Sequence, residues 1–268
     1  MYQVQKYSKN RQVIHDLLHR ARRFHCPVST TWEMDCTEAM NQLRLLRRQN
    51  VPASFSAFLV KVTAQLLQEH PHLNSHLFTS WTGKKTIVRF DDINCNVVVL
   101  RESQGEKILM PLVIHKANTL SVSEIENIID HHKHAELETL PQFQSFEKVK
   151  KMPFWLLRFI SYKTRSDPDF YIRYYGTYGL STLYSFKASS ATGGSTYANT
   201  CIAFLPFNVG TRKVEGETRR ILRICLVLDH YILDGAQISQ AGYDFQRLIE
   251  NPRRVKELLT TSTGDQAP

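Results

Sequence analysis

Near the C-terminus the sequence runs LVLDHYILDGAQIS, which sets Asp229, His230, Asp234 and Gly235 close together between an apolar run and a helix-like segment. An imidazole, with an ordinary pKa of about 6.5, can take up a proton and return it near neutrality. A histidine at the end of a rigid strand is held in place while its ring stays reachable. General-base chemistry is therefore one reading of His230. The other is a histidine that only pairs with Asp229 or Asp234. A second histidine group, His131, His132 and His134, lies late in a helical stretch. Adjacent helical positions diverge by about 100°, so these rings do not converge on one ion. They are expected at a solvated helix end, and no metal site is expected.

The elements that must position His230 are legible around it. ILRICLVL (221–228) is nearly continuous in apolar residues, which predicts a strand buried on both faces. After Gly235, the spacing of Ile238, Ala241, Phe245, Leu248 and Ile249 predicts a helix that ends at Asn251-Pro252. Residues 201–209 predict a partner strand, with VEGETR as the turn between the two.

Upstream, Arg11–Phe24 has one apolar helical face, and STTWEMD (29–35) suits a strand. Thr37 is a candidate N-cap for a helix to Arg48. Ser54 begins another helix, which Pro71 stops. Strands are expected at Thr86–Phe90, Asn94–Leu100 and Ile108–Ile114. Ser121 with Glu124 spells a capping box. Residues 141–175 include the apolar MPFWLLRFISYK, a turn at RSDPD, and a strand-like YIRYYGTYGLSTLYSF that runs past them; 188–197 read as a loop. The alternation lacks a strict βαβ rhythm, so the fold class is α/β, a mixed-sheet two-layer sandwich. One domain is expected over 1–258, followed by a polar flexible tail, 259–268.

Composition narrows the function classes. Lysine and arginine outnumber acidic residues by a net +9, with basic runs at Arg20–Arg23, Arg44–Arg48, Lys148–Lys151 and Arg253–Lys256. No zinc finger or aromatic single-strand motif accompanies them, so no nucleic-acid partner is expected. No apolar run reaches the roughly 20 residues needed to span a bilayer, and the N-terminus lacks a signal-peptide core. The five cysteines are scattered, without a C-x-x-C pair. They suit reduced thiols in a cytoplasmic protein.

The residues DHYILDGA (229–236) resemble the D-H-R-x-x-D-G-A signature of the dihydrolipoamide acyltransferase catalytic core, within the chloramphenicol acetyltransferase-like superfamily. Other stretches are similar to that core in the same order. SKNRQVIHDLL (8–18) resembles its R-K-x-I-A opening helix. TTWEMDCTEAMNQLRLLRRQ (30–49) is similar to its E-V-D-V-T strand and the helix after it. SFSAFLVKVTAQLLQEHPHLNSHL (54–77) resembles its helix ending in F-P-x-L-N-A. Residues 93–128 resemble its paired strands and following helix, and GTYGLSTL (176–183) is similar to G-T-F-T-I-S-N-L.

The resemblance implies a coenzyme A-dependent acyltransferase that works by direct transfer, without an acyl-enzyme. His230 would be the general base. Ser181 would donate a hydrogen bond to the tetrahedral oxyanion. Asp234 would organise the site with Arg11 as its structural partner. It also implies a homotrimer, or a larger cage, with the histidine and serine of one site coming from different chains. Coenzyme A would be a substrate, the acceptor small or carrier-bound, and no lipoate would be attached to this chain, which begins almost at the core.

The sequence also departs from the pattern. Tyr231 replaces the family's arginine, and Ser181-Thr182-Leu183-Tyr184 stands for S-N-L-G. Residues 141–175 are longer than the family's linker. FWLLRFISY could cover an acyl pocket, rest on a membrane surface through 152–163, or pack on the core, the commonest use of an apolar helix. A non-catalytic trimeric scaffold that keeps the fold is the alternative function.

Overall fold

The computed structural model describes residues 15, 25–103, 105–181 and 202–260. The first strand, β1 (Pro27–Asp35), leads through Cys36 into α1 (Thr37–Arg48). Thr37 is the first helical residue rather than the cap. Asp35 stands just ahead of it and accepts from both the backbone and the hydroxyl of Thr37. Helix α2 (Phe55–Glu69) starts as expected, with the Ser54 hydroxyl accepting from the Ala57 amide. It is the central core helix, buried along most of its length. A short hairpin follows, β2 (Ser75–Thr79) and β3 (Lys85–Arg89), of which the periodicity gave only the second strand. Then come β4 (Cys95–Ser103), β5 (Glu106–Ile114) and α3 (Val122–His134), which opens with the expected Ser121–Glu124 capping box.

Residues 141–175 fold as three helices, α4 (Pro141–Lys151), α5 (Phe154–Ser166) and α6 (Pro168–Tyr175). The last corrects the strand-and-turn expectation. Asp167 caps α6 by accepting from the Phe170 amide, and Pro168 presets its first turn. The chain then enters β6 (Tyr178–Ser181). The long hairpin β7 (Ile202–Val214) and β8 (Glu217–Asp229) leads to α7 (Gly235–Glu250) and α8 (Pro252–Thr260).

Six strands form one mixed sheet in the order β1-β8-β7-β6-β4-β5. β6 runs parallel to both its neighbours, while the other pairs are antiparallel. Side chains alternate between the two faces. Leu180, Ile202, Phe204, Leu222, Ile224, Leu226 and Leu228 point into the main core, which α1, α2, α3, α7 and α8 cover. Ala203, Cys225 and Val227 form a cluster of strand residues on the opposite face. β8 is thus buried on both sides, as its apolar run predicts. Together these elements make the expected mixed α/β sandwich.

Two glycines allow close approaches. Gly242 of α7 faces Trp32 of β1 so closely that an added Cβ would lie 2.1 Å from the indole. Gly176 has φ +65°, and an added Cβ there would lie 2.7 Å from the Asn94 carbonyl oxygen. That contact brings the start of β6 against the entrance to β4, where the Thr177 amide donates to the Asn94 carbonyl at 2.7 Å.

Candidate functional site

The strand β8 ends on Asp229, whose side chain is fully buried. Its carboxylate accepts from His25 Nδ1 at 2.7 Å, from the Cys26 amide at 3.0 Å and from the Tyr231 amide at 3.1 Å. Burial alone would raise the Asp229 pKa. The His25 hydrogen bond and the two backbone donors outweigh that and hold it below the usual carboxylate range. Next in the chain, the His230 amide donates to the Cys26 carbonyl at 2.8 Å, the last rung between β1 and β8.

Asp229 therefore does not partner His230, as the pairing reading would have it. It serves His25, 204 positions away in sequence, and fixes the backbone on both sides of His230. The imidazole of His230 itself projects at the exposed end of the strand. His25 was not among the residues singled out from sequence. An isolated histidine before a strand carries no local sign of a partner so distant.

Asp234 is the N-cap of α7. Its carboxylate accepts from the Gln237 amide at 3.0 Å, while the Gln237 side chain accepts from the Asp234 amide, a capping box. The turn that carries His230 is thus tied down at both ends, by Asp229 and by Asp234. Arg11, the partner expected for Asp234, lies outside the described residues, as do Tyr184 and residues 261–268 of the tail. The first two tail residues instead end α8, with Leu259 packed on the main core. Tyr231, at the family's arginine position, is exposed, and Lys85 of β3 stands 5.8 Å from its ring centroid.

A shell of aromatic rings backs His25. His76 of β2 lies with its ring centroid 5.4 Å from that of His25 and stacks on Tyr171 of α6 at 4.1 Å. Burial, then the nearby His25, push the His76 pKa down to about 3, against the opposing pull of Asp229. His76 is therefore neutral, and its buried Nδ1 has no hydrogen-bond partner among the described residues. Among the described residues the buried Nε2 of His72 also has no partner. Burial, followed by His70 and Arg89, lowers its pKa, while Asp234 raises it.

Ser181 ends β6 and is buried, on the sheet face away from the main core. The register pairs Leu180 with Phe204 and Phe204 with Leu226, which sets Ser181 level with Leu205 and Cys225. His230 lies five residues beyond Cys225 and two strands across. At standard strand spacings that is roughly 19 Å. A single chain does not bring Ser181 and His230 together.

Of the HHKH group, His131 and His134 are exposed, but His132 is buried, its Nε2 without a partner among the described residues, which corrects the solvated-end expectation for that residue. Its backbone carbonyl accepts from Arg101. No group of three or more potential metal ligands occurs among the described residues.

A family model described as 2-oxoacid dehydrogenases acyltransferase (catalytic domain) matches residues 1–147. No curated protein matches the sequence. Among solved structures, the cubic core of the pyruvate dehydrogenase multienzyme complex is 16% identical, with 96% of this chain and 94% of that one covered, at a TM-score of 0.66. The dihydrolipoamide acetyltransferase of Azotobacter vinelandii is 17% identical over 96% of this chain and 94% of that one, with a TM-score of 0.63. A chloramphenicol acetyltransferase is 15% identical over 93% of this chain and all of that one, with a TM-score of 0.50. These likenesses establish the fold, the chloramphenicol acetyltransferase-like sandwich.

Proposed function

Because the chain belongs to the 2-oxoacid dehydrogenase acyltransferase (catalytic domain) family, we propose that it moves an acyl group between coenzyme A and a thiol or other small acceptor by direct transfer. The observation that carries this reading is the anchoring of His230. Its backbone is pinned by Cys26, Asp229 and the Asp234 cap, while its ring is left exposed at the strand end. In the proposed step His230 takes the proton from the acceptor thiol as its sulfur attacks the thioester carbonyl. A new carbon–sulfur bond forms and the carbonyl becomes a tetrahedral oxyanion. That oxyanion collapses, the bond to the coenzyme A sulfur breaks, and His230 returns the proton to the departing thiolate.

Ser181 is the proposed donor to the oxyanion. Loss of one such donor costs about 10²–10³ in rate. Asp234 acts by holding the turn, and Arg11 is its proposed partner. The roughly 19 Å between Ser181 and His230 favours a site completed across chains, so the assembly we propose is a homotrimer, alone or within a larger cage. The Azotobacter vinelandii enzyme has been studied for the roles in catalysis of a serine, a histidine and an asparagine four positions after that histidine. His230 and Asp234 keep that separation, and Ser181 supplies the serine. Coenzyme A is here a substrate. The acceptor is small or carrier-bound, and the setting is cytoplasmic.

The test is thiol release from a panel of acyl-coenzyme A donors with dihydrolipoamide as acceptor. Turnover that falls at least about 10³-fold in His230→Ala supports the reading. Turnover unchanged in that variant refutes the general base. Failure to bind coenzyme A at all would leave the scaffold alternative as the better account.

A further inference from the structure

Helix α5 sits poorly with a role in the core. Of its described side chains none is buried, although its sequence FWLLRFISYKTRS opens on a run of large apolar residues. None of them joins any of the buried clusters. Helix α2, by contrast, is buried along most of its length. Trp155 is 69% exposed and Phe159 54% exposed. One turn apart, they share a stripe with Tyr162.

The charge along that stretch is mostly positive. From Lys148 to Ser166 the chain carries Lys148, Lys150, Lys151, Arg158, Lys163 and Arg165. Acids stand only at its two ends, where Glu147 pairs with Lys150 at 2.6 Å and Asp167 with Lys163 at 2.9 Å. Lys148, Lys151 and Arg158 are exposed. Helix α5 lies against β2. The turn of the β2–β3 hairpin carries Trp81, 84% exposed, with Lys84 and Lys85 beside it, and no acidic residue occurs from His70 to Phe90.

We propose that α5, together with the basic end of α4, docks on an anionic lipid surface, with Trp155 and Phe159 entering the headgroup boundary and Lys148, Lys151 and Arg158 meeting the phosphates. Bulky aromatics on one stripe, flanked by the exposed cations Lys148, Lys151 and Arg158, are the pattern of a helix that lies in a membrane interface. Each cation near such a surface adds attraction, and salt weakens it. A specific protein interface buries about 800 Å² per side, whereas among the described residues of α5 only Trp155 and Phe159 are large apolar side chains left exposed. Tyr171 of the adjoining α6 stacks on His76, which neighbours His25 and so the His230 turn. Helix α5 contacts β2 and α6, the elements that carry His76 and Tyr171, and a membrane-borne acyl donor or acceptor is the substrate class such docking would serve.

Flotation of the full chain with vesicles tests this without any use of turnover. One set is phosphatidylcholine alone, the other an equimolar mixture with phosphatidylglycerol. The protein is expected to float with the mixed vesicles only and to be released by high salt. The paired variant Trp155→Ser/Phe159→Ser and the triple variant Lys148→Glu/Lys151→Glu/Arg158→Glu should each bind at least about tenfold more weakly. All five residues are exposed, so both variants are expected to keep the wild-type circular dichroism and melting midpoint. No flotation of the wild type, equal flotation on both vesicle sets, or equal flotation of the variants would each overturn the proposal. So would variants that change the oligomeric state on gel filtration, since the stripe would then be a contact between copies of this chain.

Discussion

His76 offers a sharp test of how the site is supported. It is a neutral, buried ring whose Nδ1 has no partner among the described residues, stacked on Tyr171 at 4.1 Å, and its pKa is pushed down to about 3. In the unfolded chain a histidine titrates near 6.5. Because the folded pKa lies below the unfolded one, the unfolded state binds the extra proton first as the pH falls. The stability that His76 contributes is complete above about pH 6.5 and is lost progressively between about pH 6.5 and about pH 3. Between about pH 7 and about pH 5 the linkage amounts to about 2 kcal/mol for this one group. His76→Phe keeps an aromatic ring against Tyr171 and removes both the titration and the orphaned nitrogen. The assay is urea denaturation of wild type and variant at a series of pH values. The variant is expected to be at least as stable at neutral pH, since a buried unpaired nitrogen costs about 1–3 kcal/mol. It should then lose about 2 kcal/mol less than wild type on acidification to about pH 5. Equal acid slopes in the two proteins would refute the claim that His76 is buried neutral.

Other expectations concern the backbone and the His230 turn. Gly176→Ala must put a Cβ against the Asn94 carbonyl at a positive φ, and a loss of about 2 kcal/mol or more in urea denaturation is expected. Gly242→Ala should cost about 1–3 kcal/mol by forcing α7 off Trp32, whereas Gly235→Ala, with open space around it, should be nearly neutral in the same assay. Asp234→Ala removes the cap of α7 and should lower stability by about 1 kcal/mol, with Asp234→Ser restoring most of it. If Asp234 only caps the helix, acyl transfer should return with stability in the serine variant. A rate that stays low would assign the carboxylate a further part. Asp229→Asn leaves a weaker acceptor for His25 and the two amides, so a lower melting temperature and slower turnover are expected together. An unchanged melting temperature would mean that the buried cluster does not anchor the turn.

What was legible in the sequence was local. Ser54 and the Ser121–Glu124 box act over a few residues, and each formed where its chemistry says it should. The turn read in VEGETR is there too, but narrowed to Glu215-Gly216, with the strands running on to Val214 and from Glu217. The apolar run of β8 likewise announced a strand buried on both faces. In α6 the Asp167-Pro168 pair, a cap followed by a preset first turn, overrides the β-favouring Tyr171, Ile172, Tyr174 and Tyr175, which locally resemble a strand. β2 was missed because SHLFT is short and its burial pattern does not alternate cleanly. His132 looked solvated because its neighbours are polar, while its own direction on the helix is inward. His230 and Asp234 could be picked out because motif and turn coincide. The His25–Asp229 pair could not, since only the folded sheet makes the two residues neighbours.

The pairing of the first described strand with the last has a bearing on how the molecule comes into being. Pro27 meets Asp229, and the rung that seats His230 is supplied by Cys26. Contacts this remote in sequence close only after nearly all of the chain exists, and closing them is slow. During synthesis the strand that follows Cys26 must wait, with neither edge filled, until β8 has left the ribosome. A nascent chain can thus form α2 and its neighbours early, yet it holds no seated imidazole until its final fifth has emerged. A fragment released before that point carries most of the core and an open sheet edge, which makes it a substrate for chaperones and proteases rather than a slower enzyme.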